Sequence, residues 1–222
     1  MTLKSLQIYL TKLCFRNQLH HLGSYFNALP IIYNIYQNIK EDDIFILSNG
    51  HAAVALYVVL ADKYGLNAQE MIDEFGDHPK MSAPHKISCS TGSLGMGITV
   101  ATGFAFADST RDVHVLLSDG ECAEGSVWEA LRFKEEQNLS NLKVYVDANG
   151  FCAYDEINLK SLFKRLKAFC EDVKFIKSVD TIPCLHGLEA HYKCMDEKDY
   201  KEALRHLCKD DAEYLVETAC SE

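Results

Sequence analysis

The sequence is short of almost everything that would mark an unusual protein. Four prolines in 222 residues, with no repeat and no low-complexity stretch, exclude a fibrous or disordered chain and leave no break in composition at which to place a linker. Long apolar runs are missing as well. The longest, AAVALYVVLA at 52–61, is about half of what a bilayer crossing needs, and MTLKSLQIYLTKLC lacks a signal-peptide pattern. The expected location is the cytoplasm, with no membrane partner. Positive charge is in the minority, 22 Lys+Arg against 32 Asp+Glu for a net charge of −10, which argues against holding nucleic acid by bulk electrostatics. Any anion bound here needs a local site. A CxxC pair is absent too: the nine cysteines are odd in number and scattered from 14 to 220, so they read as reduced, mostly buried small hydrophobes.

What is present is an ordinary globular composition, 48% hydrophobic, expected to fold as a single domain over 1–222. Periodicity predicts helices over roughly 2–18 and 28–38, another from His51 to Gly65, and a small-residue helix in GSLGMGITVATGFAFADS, after a proline-bearing loop at 76–91. Strand-like runs at 113–118 and 143–148 flank a helix at 126–137, a last helix lies in DEKDYKEALRHLCK, and AEYLVET reads as a terminal strand. The fold class is α/β, a doubly wound, mostly parallel sheet flanked by helices.

The two central strands each stop on an acidic or amide residue followed by glycine, at Asp119-Gly120 and Asn149-Gly150. A right-handed βαβ crossover lays such strands parallel, so both residues reach the carboxyl edge, where doubly wound sheets bind ligands. Adjacent strands are only about 4.8 Å apart, so the Asp119 carboxylate and the Asn149 amide oxygen can share one small cation. Oxygen ligands of this kind suit Mg²⁺, with phosphates completing the shell. Gly120 would let a phosphate approach the backbone. Either dipeptide alone also reads as a plain turn.

Together they form a longer pattern. DGE at 119–121, EG at 124–125, WEA at 128–130 and DxN at 147–149, with Asn149 following Asp119 by 149 − 119 = 30 positions, resemble the thiamin diphosphate motif of the transketolase family. FILSNGHAAVALY at 45–57 resembles that family's LSxGHA segment, and His78-Pro79 followed by STGSLGMG resembles its HPE and TGxLGxG segments. These four ordered motifs run over about 130 residues; HHLGS near the start and AHYKCMDEKDYKEAL near the end match more faintly.

The resemblance implies the diphosphate-binding domain of the thiamin diphosphate-binding fold, with thiamin diphosphate and Mg²⁺ as cofactors. It implies Asp119, Asn149 and the Phe151 carbonyl as metal ligands, Gly120 and His51 facing the diphosphate, and Gly92 and Leu94 against the cofactor rings. It places His21, His78 and His191 with His51 around the reacting carbonyl, and Glu124 and Glu129 as catalytic carboxylates facing a partner subunit. Other readings stand beside these: Ser126-Val-Trp-Glu129 is also a capping box, and His20 lies one position from His21.

Two departures stand out. Ser118 occupies the place of the family's glycine, and residues 151–189 replace a longer insert, so the C-terminal part is shortened. The family's activating glutamate lies on a second domain that nothing here resembles. The expected function is therefore the N-terminal subunit of a split transketolase, moving a two-carbon ketol unit between sugar phosphates or nucleotide-linked sugars. Its expected partner carries the pyrimidine-binding and C-terminal domains, and the lone chain is expected to self-associate. A deoxyxylulose phosphate synthase-like ligase and a non-catalytic binding or regulatory subunit are the alternatives.

Overall fold

The computed structural model describes residues 1–152, 155–178, 182 and 192–208; the predicted terminal strand AEYLVET and His191 lie outside them. Four parallel strands form the sheet in the order β1 (Ile44–Leu47), β2 (Val113–Ser118), β3 (Leu142–Ala148), β4 (Lys174–Lys177). The register pairs Ile44 with Val113, Val113 with Leu142 and Tyr145 with Lys174. Alternation along the strands divides the core in two. Phe45, Leu47, Leu116 and Tyr145 face one side, where α1 (Leu3–Arg16), α2 (Leu22–Asn38), α3 (Ala53–Tyr64), α4 (Ala68–Phe75) and α8 (Glu197–Leu207) pack. Ile44, Ile46, Val113, Val115, Leu117, Val144 and Val146 face the other, under α5 (Met96–Ala107), α6 (Gly125–Glu136) and α7 (Leu159–Phe169). The result is three layers with a sheet buried on both faces. No helix among the described residues is long and apolar enough to cross a membrane.

Several elements differ from the sequence expectation. Helix α2 begins at Leu22, six residues early, and runs through Pro30; its burial against the sheet and α3 outweighs the backbone N–H that Pro30 lacks. β1 and β4 are four residues each, too short to show a period, and both depend on pairing with neighbours. Helices α4 and α7 were not anticipated; Asn67 and Asn158 cap them, accepting N–H bonds from Gln69 and Ser161 respectively. Helix α6 starts at Gly125 with no side-chain cap. The expected capping box is therefore not formed: Ser126 lies inside the first turn, and its hydroxyl donates to the Gly95 carbonyl (3.1 Å).

Candidate functional site

The carboxyl edge of the sheet is built around Asp119. Its backbone N–H donates to the Asp147 carbonyl (2.9 Å), prolonging the β2–β3 ladder by one residue. Its side chain then accepts from Gly120 N (3.0 Å) and from Gly150 N (2.7 Å), so one carboxylate ties the two strand ends together. Asn149 turns its own loop, its Oδ1 accepting from Phe151 N (2.8 Å). Asp119 is 1% exposed; burial pushes its carboxyl up to about 6, against the N–H donors of Gly150 and Gly120. Asp147 is equally buried, and burial pushes it up to about 7 although the Ser178 hydroxyl donates to it.

Gly120 is buried, and a methyl group there would stand at ordinary contact distance from Cys152, 3.5 Å from its Sγ. A small group carrying negative charge and bringing its own cation suits this edge, because the cation would answer the buried carboxylate. Nearby, Asn49 in the LSNGH loop is 1% exposed, with neither polar atom of its amide hydrogen-bonded.

Glu121 holds the loops around this edge in place. It is fully buried, and its carboxylate accepts from the Ser48 hydroxyl (2.6 Å), Gly95 N (2.9 Å) and Ser118 N (3.0 Å). The LSNGH, GSLG and SDG segments thus meet on one side chain. Burial raises its pKa, while the three donors work the other way. The sequence motif contains Glu121 within DGE but assigns it no role; a carboxylate placed at a strand end among three glycine-bearing segments was the available signal. Ser118 also resolves here: its hydroxyl accepts from Glu121 N (3.3 Å), so it folds into the loop. Gly97 fits under the same junction, where a methyl group would come within 2.5 Å of Ser48 Cα.

The histidines gather on the α2–α3 side. His51 sits in a short 3₁₀ turn, Gly50–Ala52, directly after β1. Gly50 presses on the Thr91 carbonyl, leaving no room for a side chain, and Thr91 Oγ1 donates to the Leu47 carbonyl (2.6 Å). His21 caps α2 in a left-handed conformation (φ 61°), its ring centroid 5.5 Å from that of His51. His20 turns away toward the Tyr192 carbonyl and Cys194, so of the two neighbours His21 is the one beside His51. The His78 ring lies over Gly92, where a methyl group would meet its Cδ2 at 3.0 Å. Leu94 and Gly92 are exposed, next to Met96 at 51% exposure. Glu124 and Glu129 are exposed at the start of α6, and Glu124 packs against Gly95. The structure thus brings Asp119, Gly120, Asn149 and Phe151 together at one edge, and His21, His51, His78 and Gly92 together beside it. A cavity of about 550 Å³ between α2 and β4 includes none of these residues.

A family model described as "Transketolase, thiamine diphosphate binding domain" matches residues 31–174. A protein of Phocaeicola vulgatus, named as one subunit of an apulose-4-phosphate transketolase, is 31% identical over 189 residues, covering 74% of this chain and 66% of the relative. Human transketolase is 36% identical over 142 residues, 59% of this chain and 23% of its own length. Transketolase of Campylobacter jejuni superposes with a TM-score of 0.68 at 18% identity, over 93% of this chain and 43% of that one. That of Leishmania mexicana gives 0.65 at 15% identity, over 99% and 46%. At these identities the solved structures show a shared fold. The chain spans just under two thirds of the Phocaeicola relative and under half of the other three.

Proposed function

Because the chain belongs to the family of the transketolase thiamine diphosphate binding domain, we propose that it is the diphosphate-binding subunit of a two-chain transketolase, moving a two-carbon ketol unit between phosphorylated or nucleotide-linked sugars. The observation that carries the reading is Asp119. A carboxylate almost fully buried at the carboxyl edge, tied to the Asn149 loop through Gly150, calls for a cation, and Mg²⁺ held by Asp119, Asn149 and the Phe151 carbonyl answers it. Thiamin diphosphate, when bound, supplies the nucleophilic carbon that takes up and hands on the ketol unit.

The chain's own residues bind and orient. Gly120 and His51 face the diphosphate. Gly92 and Leu94 lie against the cofactor rings. His21, His51, His78 and His191 exchange protons with substrate hydroxyls and the reacting carbonyl oxygen. Glu124 and Glu129, exposed on α6, face the partner chain, which supplies the pyrimidine-binding and C-terminal domains. The Phocaeicola relative is named as one subunit of its enzyme, which supports this two-chain arrangement. The assembly works in the cytoplasm, and the exposed apolar patch at Leu94 and Met96 favours self-association until the partner covers it.

The test is to assay xylulose 5-phosphate with ribose 5-phosphate, thiamin diphosphate and Mg²⁺, using this chain alone and this chain mixed with a chain carrying the two other domains. Activity is expected in the mixture only. Turnover by this chain alone, lost in Asn149→Ala, would overturn the two-chain reading, and cofactor binding unaffected by Mg²⁺ would overturn the metal site.

A further inference from the structure

Asp77 stands beside the histidine group, and the proposed function gives it no work. Gly76, at φ 75°, ends α4 and turns the chain so that Asp77 and His78 leave the helix together. The turn is pinned from behind: Thr91 N donates to the Pro79 carbonyl (3.3 Å) and Met81 N to Ser90 Oγ (2.7 Å). Within it, His78 Nδ1 lies 2.9 Å from Asp77 Oδ1. The other edge of the ring, Cδ2 and Nε2, faces Gly92, at 3.0 and 3.8 Å from where a methyl group would stand.

Burial works to raise the Asp77 pKa, but the His78 hydrogen bond, with His21 also close by, outweighs it and holds the carboxyl below the usual range. An ionised carboxylate can only accept, so the proton between the two residues belongs to Nδ1. On the other side stand two buried phenols, Tyr25 of α2 and Tyr57 of α3. Burial first, and the Asp77 charge in addition, raise both, so they remain neutral.

We propose that Asp77 is a positioning residue for His78: by accepting the Nδ1 proton it fixes the ring tautomer and leaves Nε2 bare beside Gly92, ready to take a proton from a substrate hydroxyl. In that step the substrate O–H bond breaks, an Nε2–H bond forms, and Asp77 stays ionised and stabilises the imidazolium. The tautomer stands on the Asp77–His78 contact and on the ionised carboxylate; the role in proton transfer rests on the proposed function.

The experiment has two arms. Long-range ¹H–¹⁵N spectra of the ¹⁵N-histidine-labelled chain at pH 8, with His78 assigned through His78→Gln, are expected to show the Nδ1–H form in the wild type and a shift to the Nε2–H form favoured by free imidazole in Asp77→Ala. With the partner chain present, Asp77→Ala is expected to lower kcat by roughly 10- to 100-fold while KM stays within about twofold, and Asp77→Asn, which keeps an acceptor, to lose less. An Nε2–H form in the wild type overturns the pairing. A kcat unchanged in Asp77→Ala while the tautomer shifts overturns the positioning role. A wild-type mixture without ketol transfer overturns the function reading and this role with it, and leaves the tautomer result standing.

Discussion

The two edges of the sheet handle carboxylates in opposite ways. At the amino edge Asp43 accepts N–H bonds from Lys40 (2.9 Å) and Asp112 (3.0 Å) and lies 3.7 Å from His114 Nε2, while Lys143 pairs with Asp112 at 3.6 Å. Burial opposes ionisation of Asp43, but the two N–H donors, with His114 beside it, prevail and hold it below the usual carboxylate range, while burial lowers the pKa of His114 itself. At the carboxyl edge Asp119, Glu121 and Asp147 are 1%, 0% and 1% exposed. Among the described residues no lysine, arginine or histidine pairs with any of the three; N–H and hydroxyl donors alone meet them. Burying a carboxylate without a countercharge costs stability. The carboxyl edge thus keeps buried acids with no basic side chain against them, and under the proposed function a bound cation answers Asp119, whereas at the amino edge His114 and Lys143 stand beside the acids.

The largest expected effect breaks the carboxyl edge at its centre. Asp119→Ala is expected to weaken Mg²⁺-dependent thiamin diphosphate binding by at least about 100-fold, measured by calorimetry with the partner chain present. The thermal midpoint of the free chain should stay level or rise, because an uncompensated buried charge is gone. Undiminished affinity would remove Asp119 from the site. Glu121→Gln comes next. The amide can still accept from two donors but turns an NH₂ toward the third, so the unliganded chain should lose about 2 kcal/mol in denaturant unfolding. Cofactor binding should weaken as well, because the LSNGH, GSLG and SDG segments lose their common anchor. Wild-type stability would mean that the three segments hold together without it.

The smallest effect sharpens the contrast through pH. Asp119 and Asp147 titrate in the fold at about 6 and about 7, against an ordinary carboxylate value near 4. A raised acid binds its proton more tightly in the native state, so the stability it contributes is complete below about pH 4 and lost as pH climbs through those values. Asp43, held low, contributes in the opposite sense, above about pH 4, and loses that contribution only on further acidification. The unliganded chain is therefore expected to melt roughly 2–5 °C higher at pH 5 than at pH 7.5, and Mg²⁺ with thiamin diphosphate should shrink the gap. A midpoint equal or higher at pH 7.5 without ligand would show that the carboxyl edge is already neutralised.

Much of the architecture was legible in residue order. Strand-like apolar runs at 113–118 and 143–148 around one helix lead to a parallel pair, and parallel pairing carries Asp119 and Asn149 to the same edge. That part is local: short apolar runs for strands, period 3.6 for helices, and a crossover whose geometry chirality restricts. Elements too short to show a period, β1 and β4, and helix α2 running through Pro30, came from packing, because their stability lies in neighbours far along the chain.

The site divides in the same way. Residue order alone determined which chemical groups stand at the strand ends, since a side chain at the end of a paired strand has only one edge to occupy. Tertiary structure alone decided that Glu121 reaches Ser48 across 73 positions, that His21 rather than His20 lies beside His51, that the Ser118 hydroxyl folds inward, and that Asp77 holds His78 over Gly92. Each of these depends on which side chain fills a gap between segments brought together by the core. No local period encodes that choice, because hydrogen-bond partners form over a few ångströms of space, whatever their separation in sequence.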